Sequence, residues 1–197
     1  MPIAIAGAGT VTGVSVGGLP DGIVDTDMIA AAAVTDVKRG PGAILQIAQT
    51  TATGDVSSSS ASSIIASGHI CSVTPKQTGS KFLVTADGIS GHFNRVSTTN
   101  FGCRYFIYAS VNSGTYANVT SALLQNVYVN GDTGAWLNPP VGFSFLAAPS
   151  YSAGQTVAFQ TYFQRGNGDS SSVTFYYNHG SSGGQNVRTL TVMEVSQ

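Results

Sequence analysis

From Ala43 onward the chain is cut into short runs by clusters of turn-forming residues, and no run between them has the length or period of a crossover helix. The breaks are Asn112-Ser113-Gly114, Asn130-Gly131-Asp132, Asn138-Pro139-Pro140, Gly166-Asn167-Gly168 and Ser181-Ser182-Gly183-Gly184, with a Ser-rich connection from Ser57 to Ser63. Such residues punctuate a chain by supplying positive φ, presetting φ, or hydrogen-bonding to the nearby backbone. Between the breaks the residues alternate. Phe82, Val84 and Ala86 alternate with Lys81, Thr85 and Asp87; Phe143 and Phe145 with Gly142 and Ser144; Val157, Phe159 and Phe163 oppose Gln160 and Gln164. A period of two with one wetted face is the signature of a half-buried strand. Parallel neighbours would need crossovers of a dozen or more residues, so the strands are expected to be antiparallel. Roughly eight to ten short strands at this spacing predict an all-β fold, an antiparallel β-sandwich of jelly-roll type.

Residues 43–197 form the expected sandwich domain, and 1–42 an N-terminal arm with its junction. The arm up to Val37 is built from Gly, Ala, Val and Thr without one aromatic residue, so it has little core of its own to bury. Within it Leu19-Pro20-Asp21-Gly22 reads as a turn, and Thr26 as the cap of a short helix over 27–33. Lys38-Arg39-Gly40-Pro41-Gly42 ends any regular element.

Charged residues are only 9% of the 197-residue chain and the net charge is −1, against about 25% charged in an ordinary soluble domain. Such a chain has no electrostatic pull toward nucleic acid or an anionic membrane, and no run approaches the roughly 20 apolar residues of a membrane span. Charge this sparse also protects poorly against self-association. The first eighteen residues lack the basic and apolar regions of a secretory signal.

The motifs that look chemical each lack the context their chemistry needs. Gly7-Ala8-Gly9 lacks the third glycine and the βαβ unit of a dinucleotide site, and Gly13-Val14-Ser15-Val16-Gly17 is followed by Gly18-Leu19-Pro20 where a nucleophile elbow needs a helix. Asp21, Asp25 and Asp27 miss the spacing of a calcium loop. His69, His92 and His179 are far apart in sequence, and Cys71 and Cys103 sit in predicted strands as buried thiols, with a bridge left open. No cofactor, metal or catalytic residue is expected. The one Trp, Trp136, lies in a loop of small polar residues; it either contacts a glycan or protein together with Tyr116, Asn138 and Tyr151, or plugs an end of the sandwich. Tyr105, Phe106 and Tyr108 belong to a run with large apolar residues on both faces. One face is expected in the core, the other under a neighbouring subunit or a loop of the same chain, and Tyr105, Phe106 and Tyr108 are the candidate subunit-interface residues.

The stretch Gly18–Met28, then Gly42-Ala43-Ile44-Leu45-Gln46-Ile47, Val73-Thr74-Pro75 with Ser80-Lys81-Phe82-Leu83-Val84, and the ending Leu190–Val195 together resemble the tail-fibre-like virion structural proteins of bacteriophages, especially those of cyanobacteria. The resemblance implies a non-enzymatic virion component, assembled in the host cytoplasm. Its arm, with Leu19, Pro20, Asp21 and Met28 as candidate anchor residues, would attach to other virion proteins. Its sandwich would form a homotrimer facing outward, in reach of a host cell-surface glycan. A capsid-decorating head fibre and a carbohydrate-binding module are the alternatives.

Overall fold

The computed structural model describes residues 34–60, 62–94, 101–120, 123–127, 136–137, 140–165, 174–177 and 187–197. The chain divides into two compact units, Met1–Lys38 and Arg39–Gln197. Of the first, the described end is one turn of 3-10 helix, Asp36–Lys38, in which Lys38 N donates to Thr35 O at 2.9 Å. The expected turn at 19–22, the helix over 27–33 and the anchor residues Leu19, Pro20, Asp21 and Met28 lie outside the described residues.

The described part of the second unit is built from strands alone: β1 (Ile44–Ala52), β2 (Val56–Ser58), β3 (Ile65–Val73), β4 (Lys81–Asn94), β5 (Phe101–Val111), β6 (Ala117–Asn118), β7 (Leu123–Val127), β8 (Trp136–Leu137), β9 (Pro140–Ala147), β10 (Val157–Arg165), β11 (Thr174–Tyr177) and β12 (Arg188–Val195). Seven make one antiparallel sheet in the order β1-β12-β4-β11-β2, with β8 and β9 also on β4; five make the other, β3-β10-β5-β6, with β7 also on β5. The spine of the first sheet is β4, 14 residues long. On one side β12 pairs with its first half and β11 with its end; on the other, β9 and β8 divide it the same way. Beyond them β1 and β2 run along β12 and β11. Each sheet therefore has four lanes. Numbered along the chain, the lanes fall as 1-8-3-6 and 2-7-4-5, the strand order of a jelly roll.

Two glycines let strands run on through irregularities of the ladder. Between Ala86 and Ile89 the β4–β9 register gains one residue on β4, a β-bulge in which Gly88 takes φ +69°. This lets β4 continue to Asn94. Gly68, at φ +74°, sits at the irregularity where β3 leaves the register of β10, and β3 runs through it from Ile65 to Val73.

The core lies between the sheets. Phe82, Val84 and Ala86 of β4 and Leu190 and Val192 of β12 face Cys71, Tyr105, Ile107, Val157, Phe159 and Phe163 of the second sheet, all at most 1% exposed. The Phe82 and Phe159 rings meet across the gap at 5.2 Å. Each large apolar side chain among them contributes roughly 1.5–3 kcal/mol by burial. Tyr105 corrects the sequence expectation that it belongs to a subunit interface. It is fully buried, 5.8 Å from the Phe143 ring and 6.4 Å from Tyr177, because odd-numbered β5 residues face the core and only Phe106 and Tyr108 face out.

One end of the sandwich is tied by a buried acid. Glu194, on the core face of β12 and 0% exposed, accepts from the Lys76 and Gln77 backbone N–H groups and from Gln46 Nε2 at 2.6–3.1 Å. Tyr151 holds the same β3–β4 turn, its hydroxyl donating to Gln77 O at 2.8 Å while its ring lies 5.6 Å from Phe82.

Candidate functional site

Four places in the fold carry groups with chemical potential: the thiols, the buried polar network, the predicted glycan set and the outer sheet faces. Cys71 and Cys103 are free and buried. They lie on β3 and β5 with β10 between them, which leaves them too far apart to bridge. Burial raises both thiol pKa values, so neither is a ready nucleophile.

The polar network lies between the sheets. Tyr177 OH donates to Thr161 Oγ1 at 2.8 Å, which is 2.6 Å from Ser67 Oγ, and Ser67 Oγ accepts from His69 N at 3.1 Å. Arg188 donates to Gly54 O and Ser67 O and lies 5.0 Å above the Tyr177 ring, a cation–π contact. The Tyr177 phenol is pushed up to about 12, chiefly by burial. Ser and His are near one another here but not as nucleophile and base. The His69 ring puts Nε2 3.1 Å from Thr50 O and 3.2 Å from Thr50 Oγ1, while Thr50 Oγ1 donates to Ile70 O. A carbonyl can only accept, so Nε2 carries the proton and His69 is a strut from β3 to β1.

That strut titrates. Burial is the main cause lowering the His69 pKa from 6.5, with Arg188 acting in the same direction and the Thr50 bond opposing. The folded chain prefers neutral His69, so its contribution to stability is complete above about 6.5 and is lost as pH falls from there through the lowered folded value. The urea midpoint is expected to drop as pH falls below about 6.5, and His69→Gln to flatten that drop. Equal slopes in the two proteins would show that His69 has no part in it.

The predicted glycan set does not assemble. Tyr151 sits against Phe82 at the start of β4, whereas Trp136 pairs with Asn94 at its far end, roughly 40 Å away at a strand's usual rise. Asn138 lies outside the described residues. Tyr116 joins a different group, on the outer face of the second sheet.

There the period of two brings aromatic rings together. Gln160 pairs with Tyr108, and Tyr162 with Phe106; Ile70 lies across from Gln160 and Asn118 across from Tyr108. Tyr108 and Tyr162 stack with centroids 4.1 Å apart, and Tyr116 lies 6.2 Å from Tyr162. Phe106, at 6% exposure, is covered within the single chain, while Tyr108, Tyr116 and Tyr162 stay partly exposed. Desolvation raises the Tyr116 and Tyr162 phenols, which keeps them hydrogen-bond donors at neutral pH. Tyr162 is not among the site residues expected from the sequence, although its even number places it with Gln160 and Gln164 on the outward face.

Among the described residues no three His, Cys, Asp or Glu side chains form a metal-binding group. No family model matches this sequence, and no curated protein matches it either.

Proposed function

We propose that this chain is a structural component of a phage virion, a short fibre-like protein. Its arm attaches to the particle, and its jelly roll packs with copies of itself into an outward-facing trimer. The observation that supports this reading most directly is a row of apolar side chains across the outer face of the first sheet. Ile47 pairs with Met193, Met193 with Leu83, and Leu83 with Leu146. The row crosses all four lanes, with Ile47 60% and Leu146 56% exposed at its ends. A contiguous apolar strip on a sheet face is the kind of surface a subunit contact covers.

Native mass spectrometry is expected to find a trimer, and Ile47→Lys with Leu146→Glu to convert it to monomer. A wild-type monomer at micromolar concentration would remove the assembly reading. Deleting residues 1–37 is expected to leave the sandwich folded and to abolish incorporation into particles; normal incorporation would remove the anchor. Imaging of labelled particles separates a tail position from a capsid-decorating one.

A further inference from the structure

We propose that the tyrosine face of the second sheet is a saccharide-binding platform that prefers chains carrying an acidic sugar. This goes beyond the outward-facing fibre proposed above and rests on it for its biological setting.

The rings are already in place. Tyr108 and Tyr162 hold each other in a 4.1 Å stack, Phe106 sits edge-on to Tyr108 at 6.3 Å, and Tyr116 borders Tyr162. Little side-chain freedom remains to be lost when a ligand lies on them, and pre-organised aromatic residues are efficient contact surfaces for that reason.

The size of the platform selects the occupant. A buried tyrosine covers roughly 150–250 Å², so three partly exposed rings offer on the order of 100–250 Å². A stable protein partner needs about 800 Å² on each side. One or two sugar rings match that area, and the rings alone fall short of what a stable subunit contact buries.

The rim matches a sugar's chemistry. A pyranose has an apolar face of C–H groups, which suits the rings, and an edge of hydroxyls that need partners. Asn118 stands across from Tyr108, with its Oδ1 held by Thr120 N at 3.0 Å, which leaves the amide NH2 as a donor. Gln164 and Arg104 form the next cross-strand pair beside Tyr162 and Phe106. Arg104 is partly exposed. A guanidinium beside the rings provides a fork for a carboxylate or sulfate.

The test uses the full-length protein on immobilised alginate, polygalacturonate, hyaluronan and heparin as acidic chains, and dextran, mannan and cellohexaose as neutral ones. At least one acidic chain is expected to bind more tightly than every neutral chain. Tyr116→Ala and Tyr162→Ala are expected to weaken that binding at least about tenfold, the change that roughly 1.4 kcal/mol of lost contact produces. Tyr116 lies outside the core, so its variant keeps the test valid if Tyr162→Ala unfolds; thermal melts check both. Arg104→Gln is expected to weaken acidic binding several-fold and to flatten its salt dependence. No acidic chain binding, or binding that survives Tyr116→Ala in folded protein, overturns the platform. Neutral chains binding as well as acidic ones, or no effect of Arg104→Gln, overturns the acidic preference. A trimer without glycan binding would remove this inference alone, and a glycan-binding monomer would remove only the assembly reading.

Discussion

Replacing Glu194 by Ala is expected to destabilise the sandwich by about 3 kcal/mol, a large share of the roughly 5–15 kcal/mol of a typical domain. The carboxylate is fully buried and accepts from three donors, Lys76 N, shared between its two oxygens, Gln77 N and Gln46 Nε2. Removing it strands the Lys76 and Gln77 N–H groups, while Gln46 Nε2 keeps its bond to Thr74 O at 2.7 Å; an unsatisfied buried polar group costs roughly 1–3 kcal/mol. Both N–H bonds are only part-buried, which keeps the expected loss below the sum of two such penalties. The damage should be local in origin, because Glu194 and Tyr151 together hold the β3–β4 turn. Urea denaturation measures the loss, and hydrogen exchange at the Lys76 and Gln77 amides should quicken before the rest of the sandwich opens. Glu194→Gln keeps the shape but turns an NH2 toward N–H groups, so it should recover only part of the stability. A change under about 0.5 kcal/mol for the Ala variant, less than one ordinary hydrogen bond contributes, would mean that the turn is held by Tyr151 alone.

Gly88→Ala is expected to cost a similar amount, about 3 kcal/mol, from two sources. The backbone there has φ +69°, and a Cβ would stand 2.5 Å from Val187 O and 3.3 Å from Arg188 Cα. The left-handed conformation accounts for about 1–2 kcal/mol with any L side chain. The rest comes from a clash with backbone that no rotamer change relieves, so the bulge must open and pull β12 away from β4. Gly79→Ala separates the two contributions. Gly79 has φ +80°, and a Cβ added there would meet nothing within 4 Å, so it should show the conformational cost alone. Equal melting shifts for the two variants would show that the close approach at Val187 is not what requires glycine.

The strands were legible from alternation, but in 104–109 and 190–195, where large apolar residues stand on both faces, the side each residue takes was not. With the core face known, parity places Glu194 with the buried Leu190 and Val192, and Tyr162 with Gln160 and Gln164 on the outward face. What parity leaves open is the partner. Lys76 and Gln77 lie 118 and 117 residues from Glu194, and nothing local relates them. Tyr116 and Tyr151 looked alike as aromatic residues near turns; one borders a ring stack on a sheet face and the other braces a turn against Phe82. Gly68 and Gly88 stand inside strands, where a glycine marks either an end or a bulge, and only the neighbouring strand's register shows that both sit at irregularities of the ladder.

Composition, turn chemistry and a period of two were sufficient by themselves for an all-β sandwich, because those properties depend on each residue and its near neighbours. Which strands lie side by side was decided only in three dimensions. Lane order sets which residues from distant parts of the chain become cross-strand partners. The apolar row on one sheet, the tyrosine stack on the other and the acid that ties the turn all arise from that long-range pairing.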